Sequence, residues 1–375
     1  MSKQKLFFVL IFSFIIAFFF QWTRWKTFDF LDSSVWSNQA KYVETGDPQE
    51  FNALAAYGHP GGPIIEGTIV LHKMFKKSYN DSLVMFMTIL NSLVITAICI
   101  LCCLLRKNNL WWIAVLSTLS LSVMYDFSTP PSAIVSPLIV LMSLLTLYFY
   151  ENKNKIKIQY FLIFSFVIGL AVATRVDIGV FCALVFLLFL RFKNTINWKG
   201  FFIIAFGSVI SFILFNPFMY FMPIQHTRDL ISKIIFHYAE FTPTHMTFLG
   251  VVGISSLAFV SIFLAICLFF LRKKIKLILP DSFVIMLVLM TIFLYFVFLT
   301  SHYQAQRYFQ PIIFIWETLL PLFVFNLTPQ ISFNFLKKTS QEKRALKIVN
   351  IFIIIVLGSY QMSLFYLWIL IGRTV

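Results

Sequence analysis

This sequence is short of charge. Only 12% of its 375 residues are Asp, Glu, Lys or Arg, against roughly 25% in an ordinary soluble domain. A chain that is 59% hydrophobic and this poor in charge cannot cover a water-facing surface, which excludes a soluble globular enzyme. Acid is scarcest, with 15 Asp and Glu against 30 Lys and Arg. Cysteine is also sparse. Cys99, Cys102, Cys103, Cys182 and Cys267 all lie inside apolar runs, so neither a disulfide framework nor a loop-borne zinc pair is expected. Cys99 and Cys102 have CxxC spacing, but on an apolar helix, where packing accounts for them. No internal repeat is visible, which argues against the doubled halves common in transporters.

Long hydrophobic runs are abundant. A bilayer core takes about 20 apolar residues per helix. Such segments can be drawn at 6–22, 82–105, 110–125, 132–150, 158–174, 177–192, 200–222, 248–271, 282–300, 309–327 and 348–370. The expected fold is therefore all-α: a polytopic membrane protein of about eleven spans, forming one unit over 1–375. The first run follows Lys3 and Lys5 and ends in FFFQW without a small-residue cleavage site. It is expected to remain as a helix.

Charge gives the orientation. Lys3, Lys5, Arg106, Lys107, Lys153, Lys155, Lys157, Arg191, Lys193, Lys199, Arg272, Lys273, Lys274, Lys276, Lys337, Lys338, Lys343, Arg344 and Lys347 fall on one side. The positive-inside rule makes that side, and the N-terminus, cytoplasmic. The net charge of +15 is thus mostly an orientation signal, and no nucleic-acid partner is expected. Lys73, Lys76 and Lys77 break the pattern by falling on the other side. The external side holds all six histidines and 11 of the 15 acids. Groups able to do acid–base or metal chemistry collect on that face, which is expected to carry the function.

The largest external segments are 23–81 and 223–247. The first opens with FDFLDSSVW, placing Asp29 and Asp32 just past the first span. Trp36, Ala40 and Val43 then recur at helical spacing and predict an amphipathic interfacial helix. Asp32 is either a catalytic carboxylate or that helix's N-cap. YGHPGGP, residues 57–63, predicts a rigid turn. IIEGTIVLHKMF is too short and too charged to span, and predicts a second interfacial helix.

This order of elements resembles the GT-C glycosyltransferase superfamily, in the branch of protein O-mannosyltransferases and lipid A aminoarabinose transferases (glycosyltransferase family 39-like). Asp32 and Trp36 stand at that branch's acidic and aromatic positions. Ala40 and Gly46 match the interfacial helix and its end, and His59–Pro60 matches the turn. The family's Asp-Glu pair is Asp32–Ser33 here, its Tyr is Trp36, and its double proline is Pro60–Gly61–Gly62–Pro63. MYDFSTPPS offers Asp126 as a further external acid. GLAVATR ends in Arg175 at the basic position, and QRYFQP carries Arg307 and Tyr308 in an Arg-Tyr…Pro signature.

The resemblance implies sugar transfer from a polyprenyl-phosphate-linked donor to a lipid, glycan or protein acceptor at the external face of a membrane, expected to be a bacterial inner membrane. One carboxylate base suffices for this, because a phosphate leaving group needs no protonating acid. Asp32 is the first candidate and Asp29 the second. Asp126 is either an acceptor- or metal-binding acid or a turn residue. Arg175 and Arg307 suit phosphate, being permanently charged and bidentate. Snorkelling is their bland alternative, and a local Arg175–Asp177 pair would compete for Arg175. Trp36, Tyr308 and His59 are the remaining substrate-binding candidates. No cofactor is assigned. A divalent metal stays open through Asp126, His237 and His245, although the two histidines are eight residues apart and show no dedicated ligand spacing. Glu317, inside a predicted helix, is either a packing partner or functional. The rival readings are a transporter or flippase, a surface-polysaccharide ligase or polymerase, and a non-enzymatic relative that keeps only the shape.

Overall fold

The computed structural model describes residues 3–27, 33–47, 60–105, 130–153, 156–236 and 281–300, together with Ile315 and Thr318. The described residues form helices and short turns, with no strand among them. They are α1 (Lys3–Thr27), α2 (Ser33–Thr45), α3 (Gly62–Phe75), α4 (Tyr79–Leu105), α5 (Pro130–Glu151), α6 (Ile158–Thr174), α7 (Val176–Phe192), α8 (Trp198–Leu214), α9 (Phe218–Phe221), α10 (Pro223–Phe236) and α11 (Asp281–Thr300).

Among them, Leu6–Thr23, Tyr79–Leu105 and Ala133–Glu151 are long and apolar enough to cross a bilayer, and α6, α8 and Ser282–Phe293 are shorter apolar helices. The predicted spans at 110–125, 248–271 and 348–370 lie outside the described residues, as does nearly all of 309–327.

Lipid and lipid-like core attract a leucine equally, so helices in a bilayer associate through close packing and small residues. Both tight pairs here follow that rule. On α1, Val9, Ser13, Ala17 and Gln21 are buried at intervals of four, one stripe of a helix. The stripe lies on α4, where Gln21 Oε1 accepts a hydrogen bond from Asn91 Nδ2 at 3.5 Å. Phe7, Phe8, Phe12 and Phe19 point outward. The α6–α8 pair interleaves Ser165 and Gly169 with Gly207 and Ser211. A Cβ on Gly169 would stand 2.3 Å from Ser211 Cβ, and one on Gly207 2.7 Å from Ser165 Cβ. Only small residues let these backbones approach so closely.

The segment predicted as one span at 200–222 is broken in the structure. Helix α8 stops at Leu214, and Phe215, Asn216 and Pro217 form a turn before α9. Proline lacks the N–H a helix needs and crowds the carbonyl four residues earlier, and it biases Asn216 out of helical geometry. Hydrophobicity continues through FILFNPFMYF, but the backbone cannot.

Both segments predicted as interfacial helices are helical, as α2 and α3. Helix α2 ends where Gly46 adopts φ +73° and donates its N–H to Tyr42 O at 2.8 Å, the left-handed close that glycine favours. Glu44 ties α2 to the α3–α4 turn. It accepts from Tyr79 Oη at 2.9 Å and lies 3.7 Å from Lys73 Nζ, while His72 stacks on Tyr79 at 4.1 Å. The lysine cluster that breaks the orientation pattern is thus partly occupied by an acid of the same loop.

Candidate functional site

The site is built around Arg175. Helix α6 ends at Thr174 and α7 begins at Val176, so Arg175 alone is extended, at φ −146° and ψ 110°. Its N–H bonds to Ala171 O at 2.9 Å, and its own carbonyl accepts from Gly179 N–H at 3.0 Å. One residue therefore closes one helix and opens the next. Its side chain is only 1% exposed. Arg175 Nε donates to Asp177 Oδ1 at 3.1 Å, and an Nη to Asp177 Oδ2 at 2.6 Å. The competing local pair is therefore present. It uses two of the guanidinium's five N–H donors, and Asp177 in the first turn of α7 is also favoured by the helix dipole.

Helix α2 and the turn that opens α3 dock onto this junction. Gly61 donates its N–H to Thr174 O at 3.3 Å. Gly61 sits at φ +55°, and the Trp36 ring occupies the place of its missing side chain, 2.1 Å from where a Cβ would be. On Gly62 a Cβ would lie 1.9 Å from Phe215 O. The Gly–Gly turn is wedged between Trp36 of α2 and the break after α8, against the end of α6. Buried Trp36 and Arg175, taken from separate sequence motifs, flank this turn. Glycine is needed at 61 and 62 because a side chain there would collide with the Trp36 ring or with the Phe215 carbonyl.

Asp32 directly precedes α2, and His59 directly precedes Pro60 of the turn. Asp29, Asp32, His59, Asp126, His237, His245, Arg307, Tyr308 and Glu317 lie outside the described residues. Among the described residues no group of three or more His, Cys, Asp or Glu is placed to hold a metal ion.

Several polar groups beside this turn were given no role in the sequence reading. His226 of α10 is fully buried. Its Nε2 lies 2.9 Å from Asn216 Nδ2, and Phe218 packs 5.4 Å from the ring. An amide donor on Nε2 fixes the neutral tautomer protonated at Nδ1. Burial pushes the imidazole down to about 4, against the opposing pull of Asp229. Among the described residues His226 Nδ1, Asn216 Oδ1 and Asp229 Oδ2 are buried without a protein hydrogen-bond partner. Glu66, one turn beyond Gly62 on α3, is pushed up by burial to about 7. Burial and the charge of Glu66 together raise Tyr220. The Asn-Pro dipeptide was the available sequence signal for this region, as a marker of a turn.

Two solved structures share this architecture. One is ArnT from Cupriavidus metallidurans bound to undecaprenyl phosphate, with a TM-score of 0.57 over 90% of this chain. The other is the Archaeoglobus fulgidus oligosaccharyltransferase in its apo form, with a TM-score of 0.52 over 96% of this chain. The chain has the GT-C fold. Both GT-C neighbours are 12% identical to it, and it spans 63% and 56% of their respective lengths. No protein-family model and no curated protein matches the sequence. The all-helical membrane architecture and the resemblance read from the motifs agree with these GT-C structures.

Proposed function

We propose that this chain is an inverting membrane glycosyltransferase, moving a sugar from a polyprenyl-phosphate-linked donor to a hydroxyl of a lipid, glycan or protein acceptor at the external face. The observation that carries the reading is the meeting of the Trp36 helix, the Pro60–Gly61–Gly62 turn and the Arg175 junction at one end of a GT-C fold. The undecaprenyl phosphate bound by ArnT supports a lipid donor of this kind.

In this mechanism Asp32, delivered by the residue step just before α2, takes the proton from the acceptor hydroxyl. The oxygen attacks the anomeric carbon from the side opposite the phosphate. The bond from that carbon to the phosphate oxygen breaks with its electron pair on oxygen, and polyprenyl phosphate departs. Arg175 and Arg307 counter its charge, Arg175 being held in place by Asp177. Tyr308 and His59 line the substrates, while Trp36, buried against Gly61, supports the turn beside them. Asp29 is the alternative base, and Asp126 an acceptor-side acid or, with His237 and His245, a metal ligand. The protein works in a bacterial inner membrane with its N-terminus in the cytoplasm.

The test is turnover of a polyprenyl-phosphate sugar by purified protein. A positioned general base supplies roughly 10²–10⁴-fold, so Asp32→Asn is expected to lose that much while Asp29→Asn retains activity. Unchanged turnover in Asp32→Asn overturns the assignment of the base. Substrate transport without chemistry by wild type and by the folded variant favours the transporter reading instead.

A further inference from the structure

Starting about two turns beyond Arg175 on the same helix, a groove of about 560 Å³ runs between α7 and α11. Val185, Leu188 and Phe192 form one wall, and Ile285 and Leu289 the other. Leu188, Phe192, Ile285 and Leu289 are exposed, so the groove is open along its length. Its two ends differ. Toward the Arg175 end, Phe181 and Phe293 stack with centroids 5.0 Å apart and 14° between planes, closing it. At the other end stand Lys193 and Ser282. Tyr150 braces that mouth, packing on Phe189 at 5.6 Å and accepting from Ser282 Oγ at 3.4 Å. Exposed Lys153 follows Tyr150 by three residues, with Glu151 the intervening acid.

From Phe181 to Lys193 is twelve residues of helix, about 18 Å. One leaflet of bilayer hydrocarbon is about 15 Å deep. A single acyl chain anchored at the membrane surface therefore fits the groove from its basic mouth to its aromatic stop. The ammonium of Lys193 then meets the phosphate of the headgroup. Basic residues at the membrane surface attract anionic lipid in this way.

We propose that this groove seats one acyl chain of an anionic glycerophospholipid, with its phosphate on Lys193. The basic mouth is at the end opposite Arg175, so this lipid belongs to the other leaflet from the one used by the proposed donor. By loop charge that leaflet is the cytoplasmic one. The inference holds whether or not the chain transfers sugar. A second copy of the chain is the competing occupant, but it offers no reason for a cation at one end of an apolar channel.

The experiment uses the full chain in nanodiscs of phosphatidylglycerol and phosphatidylcholine. A phosphatidylglycerol carrying a diazirine on its acyl chain is photolysed, and labelled peptides are mapped by mass spectrometry. Labelling is expected on 181–193 and 282–293, and phosphatidylcholine carrying the same probe is expected to label them less. Lys193→Gln should lower phosphatidylglycerol labelling about fivefold, the worth of one lysine at an anionic surface. Val185→Trp, which fills the groove, should abolish it. Labelling confined to other helices, equal labelling by both lipids, or a Lys193→Gln profile identical to wild type overturns the proposal. So does a dimer that occludes these peptides and is lost in Val185→Trp. If Val185→Trp does not fold, the wild-type map and Lys193→Gln decide.

Discussion

A methyl group on Gly62 would press a backbone carbonyl, whereas one on Gly61 would press the Trp36 ring. The two substitutions are alike in sequence and differ in what can yield. Gly61→Ala meets a side chain, and carries an added cost of about 1–2 kcal/mol for an L-residue in left-handed geometry. Gly62→Ala meets main chain that the Pro217 break holds in place, and overpacking of this kind costs about 1–3 kcal/mol or more. Gly62→Ala is therefore expected to lower the thermal midpoint of the detergent-purified protein more than Gly61→Ala does. Trp36→Ala removes the ring that Gly61 accommodates, so the Trp36→Ala/Gly61→Ala double variant should be less destabilised than the sum of its parts. The combination with Gly62→Ala should be additive, because that clash is with other atoms. Additivity in both pairs would mean that the ring does not fill the Gly61 position. Arg175 belongs to the same scale. A guanidinium buried this fully is costly unless paired, and Asp177, two residues on, supplies the pair. That pairing could be anticipated from adjacency alone. The contact of Gly62 with residue 215 could not, because the two are joined only through the fold.

At the scale of elements, the periodic and punctuated features were legible and the long-range polar ones were not. Helices α2 and α3 follow from apolar spacing and Gly/Pro signals, and the Gly46 close of α2 from glycine alone. The break at Asn216–Pro217 was masked because hydrophobicity stays high on both sides, so a span was expected to run on to 222. That break lets α10 fold back and bury His226 on Asn216. A histidine ten residues past a missed turn reads as a loop residue. Its burial has a consequence in acid. The folded protein holds His226 neutral down to about 4, whereas an unfolded histidine takes its proton near 6.5. The unfolded chain therefore binds the proton first as pH falls. Stability contributed by the neutral ring is whole above about 6.5 and drains away toward pH 4. Glu66 acts in the opposite sense. With its folded value raised to about 7, its ionisation costs stability as pH rises from the ordinary carboxylate range through 7. His226→Gln keeps an acceptor for the Asn216 amide and removes the titration. Its unfolding midpoint, followed from pH 7 to pH 4, is expected to fall less steeply than that of wild type, by on the order of 1–3 kcal/mol at the acid end. Parallel curves would remove His226 as the source of acid sensitivity.

At the scale of the whole molecule, the two ends of the bundle differ in kind. One end gathers α2, α3, the Gly–Gly turn, Arg175 and α10. The other gathers Lys153, Lys157, Arg191, Lys193 and Lys199 around the α5–α6 and α7–α8 turns. There Arg191 is anchored locally, its guanidinium 4.4 Å over Trp198 and an Nη donating to Asn194 Oδ1 at 2.9 Å. Short basic loops are retained in the cytoplasm during insertion, and that is the ground for the proposal that the Arg175 end faces outside. Lys73, Lys76 and Lys77 oppose this assignment, since α3 ends beside the start of α4 and so on the Arg175 side. The pairing of Lys73 with Glu44 reduces its weight, and the shorter run of basic charge is outvoted by the rest. The vote can be read directly. Cys99, Cys102, Cys103 and Cys182 are buried and give little background to a maleimide, and Cys267 is replaced by serine in the parent protein for the test. A membrane-impermeant maleimide applied to intact cells is expected to label Lys76→Cys at once, and Lys153→Cys only after permeabilisation. The reverse pattern would put Arg175 and the interfacial helices in the cytoplasm. The lysine cluster of α3 would then have set the orientation, and sugar transfer at an external face would no longer be tenable for this fold.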